Sequence, residues 1–332
     1  MTYASTVARW LAVGLAVGLL LATLEVLTVV AAVRSDRAPA APSADRGEPP
    51  RGVLQAPFPQ ANAQLKWPLP RSCARTATGG RAVREADRRE IGPAGVVVAT
   101  YQVRRRALTK IGGKGSSCHD RLWDAVRHVA PARNLAMVRR FVVFEPPPDA
   151  RRDQGVIVGF VRPRDGGNRT WTLGLTMRGL DSEQVAEALV HEVGHLLSLE
   201  PAQVDTRQRG TCRTFATKTG CSRPGSLLDD FVERSWRGIL DDWSKANDRR
   251  GAARTRALRA LYRAHPDTFV SEYAATHPDE DFAATFAAWC LSPSPRSGPF
   301  TTPALRAKAR WLDGRPEVRG MRARCTALRQ GT

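Results

Sequence analysis

Histidine is scarce in this chain, six in 332 residues, and tyrosine and methionine are scarcer still at four each. Any imidazole chemistry must therefore draw on His119, His128, His191, His195, His265 and His277. None of the six cysteines stands in a C-x-x-C pair, which argues against a cysteine-based zinc site. Acidic residues are few beside basic ones: 32 Asp and Glu against 51 Lys and Arg give a net charge of +19. That balance favours anionic surroundings, such as cell-surface polymers or anionic lipid. The basic residues are spread along the whole length, with no aromatic-interleaved basic module, so no specific nucleic-acid partner is expected. Internal repeats are also absent.

Long apolar runs are absent except at the N-terminus. Residues 11–33 are apolar apart from Glu25, flanked by Arg9 and Arg34. The run is long enough to span a bilayer, which takes about 20 residues. It is expected to act as a single-pass anchor with the remainder outside the cytoplasm; a signal peptide cut near Ala31 or Ala32, giving a secreted protein, is the alternative. An even number of cysteines agrees with export. Cys212 with Cys221, closing a short polar loop, is the first pairing expected, followed by Cys290 with Cys325 and Cys73 with Cys118. Residues 34–70 are rich in Pro and Ala without periodicity and read as a disordered linker. One domain, expected to be monomeric, then occupies 71–332.

The first half of that domain reads as strands with a helix between. Strand patterns fall at 95–103, 138–144 and 156–161, and a helical pattern at 118–129. Residues 170–177 alternate Trp171, Leu173, Leu175 and Met177 with Thr and Gly, as a half-buried strand with one open face would. The second half reads as helices at 226–246, 252–263, 278–290, 304–312 and 317–328. The order is α+β: a sheet, one central helix, then a helical half.

That central helix, expected over 182–199, carries His191-Glu192-Val193-Gly194-His195, a match to H-E-x-x-H. Residues four apart lie on one helix face, so two imidazoles can reach a single metal ion. Glu192 is turned from direct ligation and can serve as base toward a water in the metal's open position. Asp181 and Gln184 form a capping-box pattern at the helix start. Gly194 would leave room for a neighbouring strand or for substrate.

A catalytic zinc takes three protein ligands and keeps one position open. The metzincin extension would need Gly at 198 and His at 201; Ser198 and Pro201 exclude it. Glu280, Asp281, His277, His265 and Glu233 are candidates for the third ligand. Glu280 is the best placed, in the first turn of a helix starting at Pro278.

This combination resembles the gluzincin peptidases, zinc enzymes with H-E-x-x-H and a downstream Glu ligand. The tail is similar to the catalytic domain of the anthrax lethal-factor peptidases. There a Tyr precedes the ligand Glu by seven residues, as Tyr273 precedes Glu280 here, and an E-F-F-A-E-x-F segment follows, here Glu280-Asp281-Phe282-Ala283-Ala284-Thr285-Phe286. The resemblance implies a zincin-like fold: a small mixed sheet with an antiparallel edge strand, the H-E-x-x-H helix, and a helical C-terminal half. It implies Zn²⁺ held by His191, His195 and Glu280, with Glu192 and Tyr273 catalytic and a peptide or protein as substrate. The strand at 170–177 would line the cleft and offer its free edge to an extended peptide. Ala284 departs from the pattern, because the family has an acid there. Asp281 or another carboxylate would have to replace it. The alternative is therefore a catalytically degenerate zincin-fold binding module at the cell surface. A metal-free basic adhesion protein is a third reading.

Overall fold

The computed structural model describes residues 67–74, 95–146, 157–164, 166–208, 210–293 and 298–330. The apolar run at 11–33 and the linker up to residue 66 lie outside the described residues. Among the described residues, no helix is long and apolar enough to cross a membrane.

A hairpin of β1 (Val96–Arg104) and β2 (Ala107–Gly113) opens the sheet. Helices α1 (Ser117–Val129) and α2 (Ala132–Met137) lead to β3 (Val138–Glu145), then β4 (Gly159–Pro163) and β5 (Trp171–Leu175). The strand order is β2-β1-β3-β5-β4; β3 and β5 run parallel and the other pairs antiparallel. Helix α3 (Ser182–Ser198) follows, then a small three-stranded sheet of β6 (Val204–Asp205), β7 (Ala216–Thr217) and β8 (Gly220–Ser222). The C-terminal half is helical: α4 (Leu227–Trp236), α5 (Leu240–Asn247), α6 (Gly251–Ala264), α7 (Pro278–Leu291), α8 (Pro303–Asp313) and α9 (Met321–Gln330). This is the α+β order read from the sequence.

Two local readings are corrected, and one strand that the sequence did not suggest is present. The strand over 170–177 has no open face or free edge: β5 lies between β3 and β4, and all five of its residues are buried. Its small residues are covered from the far side; a Cβ at Gly174 would lie 2.2 Å from the Phe160 ring. Among the described residues, β4 is the end strand on that side of the sheet. The single helix expected over 226–246 is two, α4 and α5, broken around Gly238, a residue that weakens helices. Strand β2 gave no clear pattern because five of its seven residues are exposed, the other two are only half-buried, and it ends in Gly112-Gly113. Its hairpin turn is made by Arg105 and Arg106 at φ 49° and 67°, a conformation usually given to Asn-Gly.

The three disulfides pair as expected: Cys73–Cys118, Cys212–Cys221 and Cys290–Cys325. The first fastens the 67–74 segment to α1, where Trp67 and Leu69 are buried against the core. The last fastens α7 to α9. Three such bridges fit an oxidising compartment.

Helix α3 is fixed at both ends. Asp181 Oδ1 accepts from the Gln184 N–H at 2.8 Å, and Gln184 Oε1 accepts from the Asp181 N–H at 3.2 Å, completing the capping box. At the other end the Asn134 side-chain amide donates to the Leu196 carbonyl (2.9 Å) and that of Asn168 to the Leu199 carbonyl (3.0 Å), satisfying groups that a helix terminus leaves open. Between the ends, Gly194 lets α7 come close. A Cβ there would lie 3.0 Å from Ala283 Cα and 3.2 Å from Phe286 Cδ1. The room at Gly194 is thus taken by a helix, rather than by the strand or substrate anticipated from the sequence. Gly194→Val should destabilise the protein by about 1–3 kcal/mol through overpacking, measured by denaturant unfolding. An unchanged midpoint would show that α3 and α7 do not meet there.

Candidate metal centre

The two helices that meet at Gly194 carry the candidate ligands. His191 and His195 project from adjacent turns of α3, and Glu280 from the first turn of α7. The facing atoms form a near-equilateral triangle. His191 Nε2 lies 3.1 Å from His195 Nε2 and 3.1 Å from Glu280 Oε2; His195 Nε2 lies 3.2 Å from Glu280 Oε2. The N···N approach requires at least one unprotonated ring, whereas a cation would use all three lone pairs together. These three side chains could hold a metal ion.

The charges are tightly coupled. Burial pushes the His195 pKa down, but the Glu280 carboxylate outweighs it by charge and hydrogen bond and lifts it to about 9. His191 moves down, through burial and the neighbouring His195. Burial works against the Glu280 carboxylate, yet His195 and His191 hold it far below the ordinary range. Glu192 is 5% exposed. Burial first, with Glu280 adding and His195 opposing, pushes its carboxyl up to about 8.

Strand β4 runs over Glu192. A Cβ on Gly159 would lie 2.7 Å from Glu192 Oε1. The Arg164 N–H donates to the Thr170 carbonyl (3.0 Å) and the Thr176 N–H to the Val158 carbonyl (3.1 Å). Continued through the register Phe160↔Gly174 and Arg162↔Thr172, this alternation turns the even-numbered backbone groups to β5 and those of Gly159, Val161 and Pro163 outward. Pro163 has no N–H to offer, which costs nothing on an outer edge. Among the described residues no strand pairs with that edge.

Tyr273 stands beside the triad, its ring centroid 5.9 Å from that of His191. Desolvation on its inner side and the Glu280 and Glu192 carboxylates push its phenol upward, although the residue is 56% exposed. It therefore stays protonated and able to donate.

The remaining sequence candidates lie elsewhere. Asp281 is fully buried and turned from the triad: its Oδ2 meets Lys308 Nζ at 2.5 Å and accepts from Trp236 Nε1 at 2.8 Å, while Oδ1 accepts from Thr285 Oγ1 at 3.1 Å. Asp281 is thus neither a ligand nor a substitute for the acid missing at Ala284. His277 caps α7 and touches the Asp279 carboxylate. His265 ends α6, and Glu233 pairs with Arg237 at 2.6 Å on an exposed face. Asp279, next to Glu280, is buried and close enough to act electrostatically on both histidines. Gly159 was missed altogether. Pro163 was the available signal, because a proline inside a strand pattern marks an edge.

Comparison with protein-family models, with curated proteins and with solved structures finds no match for this chain. The reading of the site rests on its own geometry.

At neutral pH the raised His195 holds a proton that a metal must displace. Metal binding at pH 7 should release about one proton per site, read by calorimetry in two buffers of different ionisation heat. Apparent affinity should climb with pH until about 9. In metal-stripped protein the sign is opposite: the stabilisation from protonated His195 is complete below its ordinary 6.5 and is lost as pH rises through about 9. Affinity that does not change with pH over this range would remove His195 from the ligand set.

Proposed function

We propose that this chain is an exported zinc-dependent peptidase. The observation that carries the reading is the convergence of His191, His195 and Glu280 to within 3.2 Å of one another, with a buried carboxylate, Glu192, beside them under an open strand edge. A tetrahedral zinc with bonds of about 2.0–2.1 Å spaces its donors roughly 3.3 Å apart, so the triangle fits with little adjustment. Two imidazole nitrogens and one carboxylate oxygen are also a donor set that catalytic zinc sites use.

His191, His195 and Glu280 would hold the ion, which supplies Lewis acidity and lowers the pKa of water toward about 7. Glu192 takes the proton from the attacking water. Burial raises its carboxyl to about 8 in the metal-free protein, and a cation held beside it would favour the ionised form that accepts a proton. Glu192 later passes that proton to the leaving amine. Tyr273, kept protonated, donates a hydrogen bond to the carbonyl oxygen of the scissile bond as negative charge grows there. The Val161 N–H donates to the Glu192 carboxylate itself, so the outward Gly159 N–H and the Gly159 and Val161 carbonyls are the groups that pair with the main chain of an extended peptide and set it over Glu192. Pro163 withholds the next donor, so the ladder is short and a peptide's backbone is gripped chiefly over the base. The N-terminal run at 11–33 would anchor or export the domain.

A specific observation favours the second reading, a degenerate binding module. His195 Nδ1 is buried without a hydrogen-bond partner among the described residues, Ala284 supplies no acid, and Asp281 is turned to Lys308. Orienting partners of metal ligands commonly matter by about 10–100-fold.

Glu192→Gln should retain stoichiometric zinc by elemental analysis and lose peptide hydrolysis by about 10²–10⁴-fold. Tyr273→Phe should lower kcat by a smaller factor with zinc unchanged. A parent protein that binds zinc yet cleaves no peptide, with or without chelator, would favour the binding module. A Glu192→Gln protein that cleaves as fast as the parent would remove Glu192 as the base.

A further inference from the structure

The base is crowded from above by a residue with no side chain. Gly159 lies in the first position of β4, and its missing Cβ would point straight at Glu192: 2.7 Å from Oε1, 2.9 Å from Cγ and 3.1 Å from Cδ. Contacts of this kind below 3.0 Å do not persist, so the whole end of the Glu192 side chain would have to move. Glu192 has little freedom to do so, because it is buried on α3 between the strand and the His195–Glu280 pair. The backbone of Gly159 is not in the left-handed region, so conformation alone does not call for glycine there. What calls for it is the space occupied by the carboxylate.

The next near-face residue of β4 behaves differently. Val161 carries a branched side chain on the same face and packs against the main core. Phe160 and Arg162 lie on the opposite face, the Arg162 guanidinium 5.4 Å from the Phe160 ring centre. The bare position on the strand is therefore the one directly over the base.

We propose that Gly159 is a positioning residue for Glu192: by leaving this space free, it lets the carboxylate sit beside the metal donors while the strand backbone closes over it. The kinetic part of the inference rests on the peptidase reading; the packing part does not. A Cβ at 2.7 Å would sit about 0.7 Å inside ordinary contact; relieving it would displace the carboxylate by a similar amount, and misplacement of about 1 Å can cost about 10²-fold in rate.

The test is a cycle in the full-length protein: parent, Gly159→Ala, Glu192→Ala and the double variant. The melting temperature of metal-stripped samples reads the packing. Gly159→Ala should lower it in the parent background and leave it unchanged in the Glu192→Ala background. An equal drop in both backgrounds would overturn the proposal, because the obstruction would then lie elsewhere. Should Gly159→Ala alone fail to fold, a folded double variant supports the proposal and an unfolded one overturns it. In the zinc-loaded samples, Gly159→Ala should keep full metal content and lose about 10²-fold in kcat with KM nearly unchanged. Unchanged kcat would overturn it. Absence of hydrolysis in the parent would count against the peptidase reading alone, and the melting cycle would still decide the role of Gly159.

Discussion

The close approach of α3 and α7 at Gly194 is the constraint on which the site depends. Two imidazoles on one helix are within reach of each other by helical geometry alone. The third donor comes from 85 residues farther along the chain than His195. It arrives only because α7 packs with the Ala283 backbone against Gly194, one residue before His195. Around that contact the protein spends its strongest fixtures. The capping box holds the start of α3, the Cys290–Cys325 bridge holds the end of α7, and Asp281 ties the first turn of α7 to Lys308 and Trp236. Lys308 lies over the Phe231 and Phe269 rings, at 5.3 and 5.0 Å, so its charge is balanced within an otherwise apolar interior. Removing one partner of such a buried pair commonly costs about 3–5 kcal/mol, and here the strain would fall on the turn that presents Glu280.

The second constraint is the edge strand. β4 is the outermost strand of a five-stranded sheet, and it brings backbone, not side chain, to the carboxylate of Glu192. The same strand turns the Gly159 amide outward, gives the Val161 amide to Glu192 and has none at Pro163. On the proposed reading, positioning of the base and recognition of an extended chain are joined in one short element. The arrangement follows from the twofold alternation of a strand: one face covers Glu192, the other buries Phe160 against Phe144, and no described strand pairs with the rim.

Much of this was legible in the chain. The H-E-x-x-H spacing, the Asp181–Gln184 box and the helical period around them specify α3 with little help from tertiary structure. All three disulfides were paired correctly, and Glu280 was singled out by its place in the first turn after Pro278. What could not be read concerns relations between distant segments. The pattern at 170–177 suggests a one-sided strand because it alternates, but alternation is silent about whether a neighbouring strand covers the other side; Phe160, fourteen residues before the Gly174 it covers, does so. Asp281 looked available because three acids in one helical turn are equivalent in sequence. Helix rotation separates them, sending Glu280 to the histidines and Asp281 to Lys308. The hairpin turn at Arg105-Arg106 carries no turn-forming residue, so β2 was invisible.

The central claim is that His191, His195 and Glu280 share one zinc ion and leave a position open beside Glu192. X-ray absorption spectroscopy of the zinc-loaded protein tests it most directly. The account predicts one zinc per chain, bound by two imidazole nitrogens and one carboxylate oxygen at about 2.0–2.1 Å, with one further light atom completing the shell. Sulfur in the shell, six oxygen neighbours, or a spectrum unaltered by Glu280→Ala would contradict it.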